Sequence, residues 1–254
     1  MQVKAAIAEF TAAPCGPSCV TCPIHERAVC ARCDSRDLES LEAVKYHRRY
    51  EAGQVVVWAG DEMDFVASIV EGVATLTRML DDGRIQMVGL LMPSDFLGRP
   101  GHRVATYTVT ATSDLELCCF RRQPFEKMMR DNSRISSRLL EMTLDELDAA
   151  REWLLLLGRK SAREKIASFL SILARRKALL DDDEPQGRMH LELPLSREAM
   201  SDYLGLTIET VSRQMTALKR DGLIELSGKR GVILSDFDSL VLEGGTDGDA
   251  VMLS

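Results

Sequence analysis

The sequence predicts an α+β fold: a cysteine-rich N-terminal segment, an antiparallel β-sandwich or barrel, one long helix, and a C-terminal winged helix-turn-helix. Three observations carry this. Between residues 39 and 132, short β-rich runs alternate with Gly, Asp and Pro. From 133 a helical period runs without Gly or Pro as far as Gly158. Beyond 159, two short helices joined through a glycine precede a hairpin. The expected divisions are 1–38, 39–132, 133–158, 159–240 and a frayed tail over 241–254, rich in Gly and Asp.

The β-rich region is read from six runs. Gln54–Trp58 ends at Ala59-Gly60-Asp61, Phe65–Val70 ends at Glu71-Gly72, and Val73–Thr77 precedes the turn Asp81-Asp82-Gly83. Gln86–Leu91 ends at Met92-Pro93, and Tyr107–Thr112 and Leu115–Phe120 complete the set. Branched and aromatic residues between turn formers suit a pleated, half-buried surface.

In the long helix, Ile135, Leu139, Met142, Glu146, Ala149, Trp153 and Leu157 recur at spacings of three and four. A stripe of this length suits one side of a coiled-coil contact, so a homodimer seam is expected there. Glu146 interrupts the stripe and is a candidate for weakening the seam. A second helix, about Ser161 to Lys177, carries Ile166, Phe169, Leu170 and Leu173 on one face.

Ser196 is placed to cap a helix through Met200 to Leu204, and Gly205 to end it in a left-handed turn. Thr207 then caps a helix from Ile208 to about Arg220, stopped by Gly222. In such a unit the first turns of the second helix enter the major groove. Glu209, Ser212 and Arg213 share one face there, at i, i+3 and i+4. Arg can hold guanine, Glu can accept from cytosine, and Ser adapts to either. Ile224–Leu226 and Val232–Leu234 flank Ser227-Gly-Lys229-Arg230-Gly231, a wing whose Lys229 and Arg230 suit phosphates.

Five of the seven cysteines (Cys15, Cys19, Cys22, Cys30 and Cys33) fall in the first 33 residues. No helix or strand is legible near them that could bury them as small apolar side chains. Clustered thiolates suit a soft metal centre. On spacing alone structural zinc is favoured, and a Cys30–Cys33 disulfide switch is a further alternative. His25, among the cysteines, is read as solvated rather than a ligand.

The chain of 254 residues carries a net charge of −7. Overall acidity argues against indiscriminate coating of nucleic acid but permits local readout. Basic residues crowd Arg159–Lys177, and again Arg213, Lys219, Arg220, Lys229 and Arg230. No apolar run reaches the roughly 18 residues of a membrane span. The first ten residues make no convincing signal peptide, so a cytoplasmic protein with reduced thiols and no membrane partner is expected. The four His are scattered, and no hydrolase elbow, phosphate loop or dinucleotide fingerprint is present, so an enzyme is not expected.

Glu209-Thr-Val-Ser212-Arg213 resembles the recognition helix of the Crp/Fnr family, in its Fnr branch. Gly60-Asp61, Phe65–Gly72 and Pro93-Ser-Asp-Phe-Leu-Gly98 are similar to that family's β-roll, a cyclic-nucleotide-binding-like domain. The helix before Gly158 sits where the family dimerises. Cys19-x2-Cys22-x7-Cys30 is similar to the α-proteobacterial type of the oxygen-responsive iron–sulfur subgroup.

The resemblance implies a cytoplasmic homodimer that binds a palindromic promoter site and works with RNA polymerase. It implies one [4Fe–4S] cluster per subunit, degraded by oxygen with loss of DNA affinity, and so favours iron–sulfur over zinc. By position the implied ligands are Cys19, Cys22, Cys30 and Cys118, with Cys33, Cys119 and Cys15 as alternates. The implied DNA contacts are Glu209, Ser212 and Arg213. Where the cyclic-nucleotide branch has Gly-Glu-Leu, this chain has Gly98-Arg99-Pro100, and no Arg-Ser pair stands near Ala105-Thr106-Tyr107. A cyclic nucleotide is therefore not expected.

Overall fold

A computed structural model describes residues 17–245; Cys15 and the expected tail beyond 245 lie outside them. A one-turn helix at Cys19–Thr21 leads through tight turns to α1 (Ser35–Val44). Eight strands follow: β1 (Lys45–Tyr50), β2 (Val55–Val57), β3 (Phe65–Glu71), β4 (Ala74–Met79), β5 (Ile85–Leu91), β6 (Phe96–Leu97), β7 (Thr108–Ala111) and β8 (Leu115–Arg121). Then come α2 (Arg122–Asp131), α3 (Ser133–Arg159), α4 (Ala162–Leu180), β9 (Met189–Glu192), α5 (Arg197–Leu204), α6 (Ile208–Arg220), β10 (Ile224–Ser227), β11 (Gly231–Leu234) and α7 (Phe237–Glu243).

The first eight strands form two four-stranded antiparallel sheets, ordered β1-β8-β3-β6 and β2-β7-β4-β5. Strand alternation decides what each face meets. On β3 and β8, Phe65, Ala67, Ile69, Leu115, Leu117 and Cys119 point between the sheets and form the roll's interior. Val66, Val70, Cys118 and Phe120 point the other way, into a second core with Leu41 of α1, Phe125 of α2 and Ile135 of α3. These strands are thus covered on both faces, which is why their sequences run apolar without alternation. Gly72 makes the turn after β3 with φ +84°, where an added Cβ would lie 2.0 Å from the Asp114 carbonyl oxygen. That approach excludes any side chain.

The second core corrects one sequence expectation. Cys19, Ile24, Ala28, Val29 and Cys30 are buried. Their cover comes from the outer face of β3 and β8 and from α1, so no local periodicity announces it. Asp34 caps α1 in a reciprocal box with Asp37. Neither α1 nor the polar strand β1 was expected.

The C-terminal third folds close to expectation. Ser161 and Glu164 form a capping box at the start of α4. Ser196 accepts from the Ala199 amide, and Gly205 closes α5 at φ 62°. Thr207 caps α6 by accepting from the Thr210 amide. A three-stranded sheet, β10-β11-β9, supplies the wing. One core joins α4, α5, α6 and the wing, and takes in Met87 and Met92 from the roll. Of the expected frayed tail, residues 241–243 are helical as the end of α7, because Phe237, Leu240 and Val241 bury against that core.

The long helix is as expected in extent, but its predicted seam turns inward. Ile135 is fully buried within the chain. Leu139, Met142, Glu146 and Ala149 line a cavity of about 680 Å³ between α3, the roll and the end of α4. Trp153 stacks on Tyr203 of α5 with ring centroids 4.1 Å apart, and Leu157 packs on the C-terminal core. Ile135 is buried and Leu139, Met142, Ala149, Trp153 and Leu157 are half-buried within the chain, while Glu146 is exposed, so this stripe is already partly covered without a partner helix.

Candidate functional site

Cys19, Cys22, Cys30 and Cys118 line one cavity, together with Pro17, Ile24, Ala28, Lys45, His47, Ser68 and Phe120. Three of these sulfurs come from the N-terminal loop and one from the outer face of β8. Cys119, one residue on, faces the roll interior. Cys33 is half-buried against the same core but does not line the cavity. His25 is half-buried, and its Nδ1 is enclosed without a hydrogen-bond partner, so it is not the freely solvated ring the sequence suggested.

Short turns set the loop. The His25 amide donates to the Cys22 carbonyl at 3.0 Å, Ala28 to Ile24 at 2.9 Å, and Cys33 to Cys30 at 3.0 Å. The Cys19 amide donates to Glu42 Oε2 at 2.8 Å, and Lys45 Nζ to the Pro17 carbonyl at 2.7 Å. Helix α3 holds the other side. Arg138 donates to the Arg27 carbonyl at 2.6 Å and to the Ala28 carbonyl at 3.5 Å. Arg32 pairs with Glu141 at 2.8 Å, and Arg134 with Asp37 at 2.8 Å.

Burial pushes the Cys19 thiol up to about 12, helped by its hydrogen bond with Glu42. Burial also pushes Cys30 to about 12, with repulsion from Cys22 and Cys33 adding to it. Cys118 is raised by burial and then by Cys19 and Cys22. Lys45, at the same cavity, opposes these shifts without cancelling them, and a metal centre would supply the further positive charge that thiolates need. Among the described residues, no three His, Cys, Asp or Glu side chains gather closely enough to hold a single ion. Four thiol sulfurs lining one cavity are a soft donor set of the kind that iron–sulfur centres and zinc both use.

At the opposite end, Glu209, Ser212 and Arg213 lie exposed on the first two turns of α6. Val211, Met215 and Leu218 bury the other face. The Glu209 carboxyl is held below its usual range by the backbone amide at the helix start and then by the Thr207 hydroxyl, so it stays an ionised acceptor. Lys229 and Arg230 are exposed between β10 and β11. The basic run at 159–177 has another role: its cations are largely committed inside the chain. Lys160 donates to Ser168 Oγ and the Gly244 carbonyl, Lys165 to the Leu204 carbonyl, and Arg176 to Asp95 at 3.0 Å. Arg163 pairs with Asp221 and Glu243.

Sequence reasoning missed the open face of α3. Leu140, Leu144, Leu147, Leu154 and Leu155 are 45–71% exposed. Four of them follow a 4-3-7 spacing, with Arg151 at the intervening heptad position. The signal was present as a second apolar stripe one residue out of phase with the one chosen.

Residues 47–132 match a family described as cyclic nucleotide-binding domain, and residues 164–242 match Crp-like helix-turn-helix domain. The chain is 65% identical over 231 residues to a transcriptional activator protein, FnrL, of Cereibacter sphaeroides, covering 91% of this chain and 93% of that one. It is 36% identical to the nitrogen fixation regulation protein FixK of Bradyrhizobium diazoefficiens, over 84% of this chain and 88% of that one. The solved structure of FixK2 from Bradyrhizobium japonicum superimposes with a TM-score of 0.71 at 28% identity, covering 81% of this chain and all of that one. No described helix is long and apolar enough to cross a membrane. With its two domains, its helix-turn-helix geometry and these relatives, the chain belongs to the Crp/Fnr family of DNA-binding transcriptional regulators, of the Fnr/FixK type.

Proposed function

We propose that this chain is an oxygen-responsive transcriptional activator. It binds a palindromic promoter site as a homodimer, in concert with RNA polymerase, while Cys19, Cys22, Cys30 and Cys118 hold a [4Fe–4S] cluster. The observation that carries the reading is the single cavity lined by four sulfurs, three from a loop and one from the roll. When bound, the cluster supplies a covalent crosslink between loop and roll that oxygen can break. The chain's own residues do the rest. The crosslinked loop presents the carbonyls of Arg27 and Ala28 to Arg138, and so fixes the roll against α3. That fixes the open leucine stripe for a second copy. In the dimer, Glu209, Ser212 and Arg213 of each copy face one half-site, and Lys229 and Arg230 reach phosphates. The roll offers Arg99 and Pro100 in place of an acid for a ribose hydroxyl, so the cysteines and not a cyclic nucleotide carry the signal.

The test is anaerobic purification with iron and sulfide assay, visible absorption, sedimentation and an electrophoretic shift on a palindromic duplex, repeated after exposure to air. The expected result is about four irons and four sulfides per chain, a visible band that bleaches in air, and loss of dimer and of the shifted duplex together. A colourless, zinc-containing protein that stays dimeric and still shifts the duplex in air would overturn the reading.

A further inference from the structure

Cys118 does not stand alone on its strand. In the sheet register it lies opposite His47 on β1 and opposite Ser68 on β3. Directly opposed residues of antiparallel strands share a face. His47, Cys118 and Ser68 therefore form one row across the outer face, and all three line the sulfur cavity. Both flanking residues are more than nine-tenths enclosed: the His47 side chain is 8% exposed and Ser68 2%. Each holds one buried polar atom without a hydrogen-bond partner, His47 Nε2 and Ser68 Oγ. Two such buried atoms without partners, on either side of one sulfur, call for a partner.

The His47 ring is fixed from behind. Its Nδ1 lies 2.9 Å from Glu116 Oε1, and Glu116 accepts from Arg49 at 2.9 Å. Glu116 pairs with Arg49 in the next same-face row, so β1 and β8 carry a relay of Arg49, Glu116 and His47 that ends at the cavity. A carboxylate behind an imidazole is the arrangement that orients rings around metal centres. Lys45, also at the cavity, is already engaged by the Pro17 carbonyl and Glu42.

We infer that His47 and Ser68 are positioning residues for the sulfur of Cys118, flanking it with polar contacts when it binds metal. Ser68 donates its hydroxyl proton to the thiolate, and His47, as an imidazolium whose Nδ1–H donates to Glu116, donates its Nε2–H to the same sulfur from the other side. Hydrogen bonding to ligand sulfur sets the potential and lability of such centres. Cys118 is thereby the ligand most firmly held by the folded body, while Cys19, Cys22 and Cys30 sit on a loop. This inference rests on the metal-centre reading above.

The experiment compares wild type with Ser68→Ala, Ser68→Thr, His47→Phe and His47→Gln, all prepared anaerobically with intact secondary structure. It reads iron and sulfide content, reduction potential, and the rate of iron release to a chelator. Ser68→Ala and His47→Phe should lower the potential and release iron about tenfold faster, while Ser68→Thr and His47→Gln restore both. Equal potentials and equal release rates in all five proteins would overturn the inference. Wild type free of sulfide would sink the cluster reading separately, and the variants are then compared by cobalt(II) affinity and the sulfur-to-cobalt absorption band. There, roughly tenfold weaker binding in the same two variants supports the positioning role, and unchanged binding overturns it.

Discussion

Helix α3 has two apolar faces, and they do different work. The inward face carries Ile135, Leu139, Met142, Glu146, Ala149, Trp153 and Leu157, and meets the second core, the roll cavity and the C-terminal domain. The outward face carries Leu140, Leu144, Leu147, Leu154 and Leu155 and is left largely uncovered by the described residues. The first face records the state of the chain, including the cysteine loop through Arg138. In the proposed dimer, the second offers that state to another copy. A helix with both faces apolar is a rigid element through which a change at one end of the roll can alter self-association, without contact between the two sites.

The outward face gives the largest expected effect. Leu144→Arg places a charge in the seam twice, once per copy. Losing about 2 kcal/mol of burial on each side amounts to roughly 4 kcal/mol, or about a thousandfold weaker dimer. Sedimentation should show monomer, with the unfolding midpoint of the monomer unchanged. A dimer of undiminished strength would show that the partner does not sit on this face.

Trp153→Ala attacks the inward face instead. It removes the stack on Tyr203 and should cost about 3 kcal/mol of stability. The unfolding midpoint should fall by about 6–10 °C. The outward leucines remain, so self-association of the folded fraction should change far less than in Leu144→Arg. If Trp153→Ala dissociates the dimer as strongly, the division between the faces is wrong.

The helix itself was legible from its uninterrupted length, but the face was not. Periodicity marks apolar stripes, and α3 has two, offset by one residue; only the tertiary position of the roll decides which is taken. The same physics explains the rest. Helix caps and stops at Ser196, Gly205, Thr207 and Gly222 are local chemistry and were read residue by residue. The buried cysteine loop depends on the far side of β3 and β8, and β1 is a polar strand at the sheet edge whose partners lie some 70 residues on. The row of His47, Cys118 and Ser68 joins three strands distant in sequence. Cys118 was reachable from the resemblance, and its neighbours only from the register.

Arg138→Ala tests whether the two faces are coupled. It removes charged hydrogen bonds to the Arg27 and Ala28 carbonyls, at a cost of about 1.5 kcal/mol. The metal-loaded variant should keep its iron yet dimerise about tenfold less tightly, approaching the metal-free protein. Iron content and sedimentation on one sample separate these results. Wild-type dimerisation with full iron would mean that the loop does not signal through α3.

The smallest effect concerns Glu146, which sits on the inward face and remains solvent-reachable at the mouth of the roll cavity. Its carboxyl is pushed above the usual range by surrounding protein and then by the like charge of Asp95, with Arg176 opposing. An acid whose folded value is raised holds its proton more tightly in the folded chain. Its contribution to stability is therefore greatest below the unfolded value of 4.5 and declines as pH rises from there through the folded value. Glu146→Gln should remove that decline and leave the variant slightly more stable than wild type at neutral pH, with the two converging in acid. Because the change lies on the inward face, the dimer dissociation constant at pH 7 should hardly move. Paired denaturation and sedimentation curves across the acid range read both quantities. A Glu146→Gln variant that tightened the dimer without changing chain stability would put this carboxyl at the partner's seam after all, and with it the stripe that the periodicity first picked out.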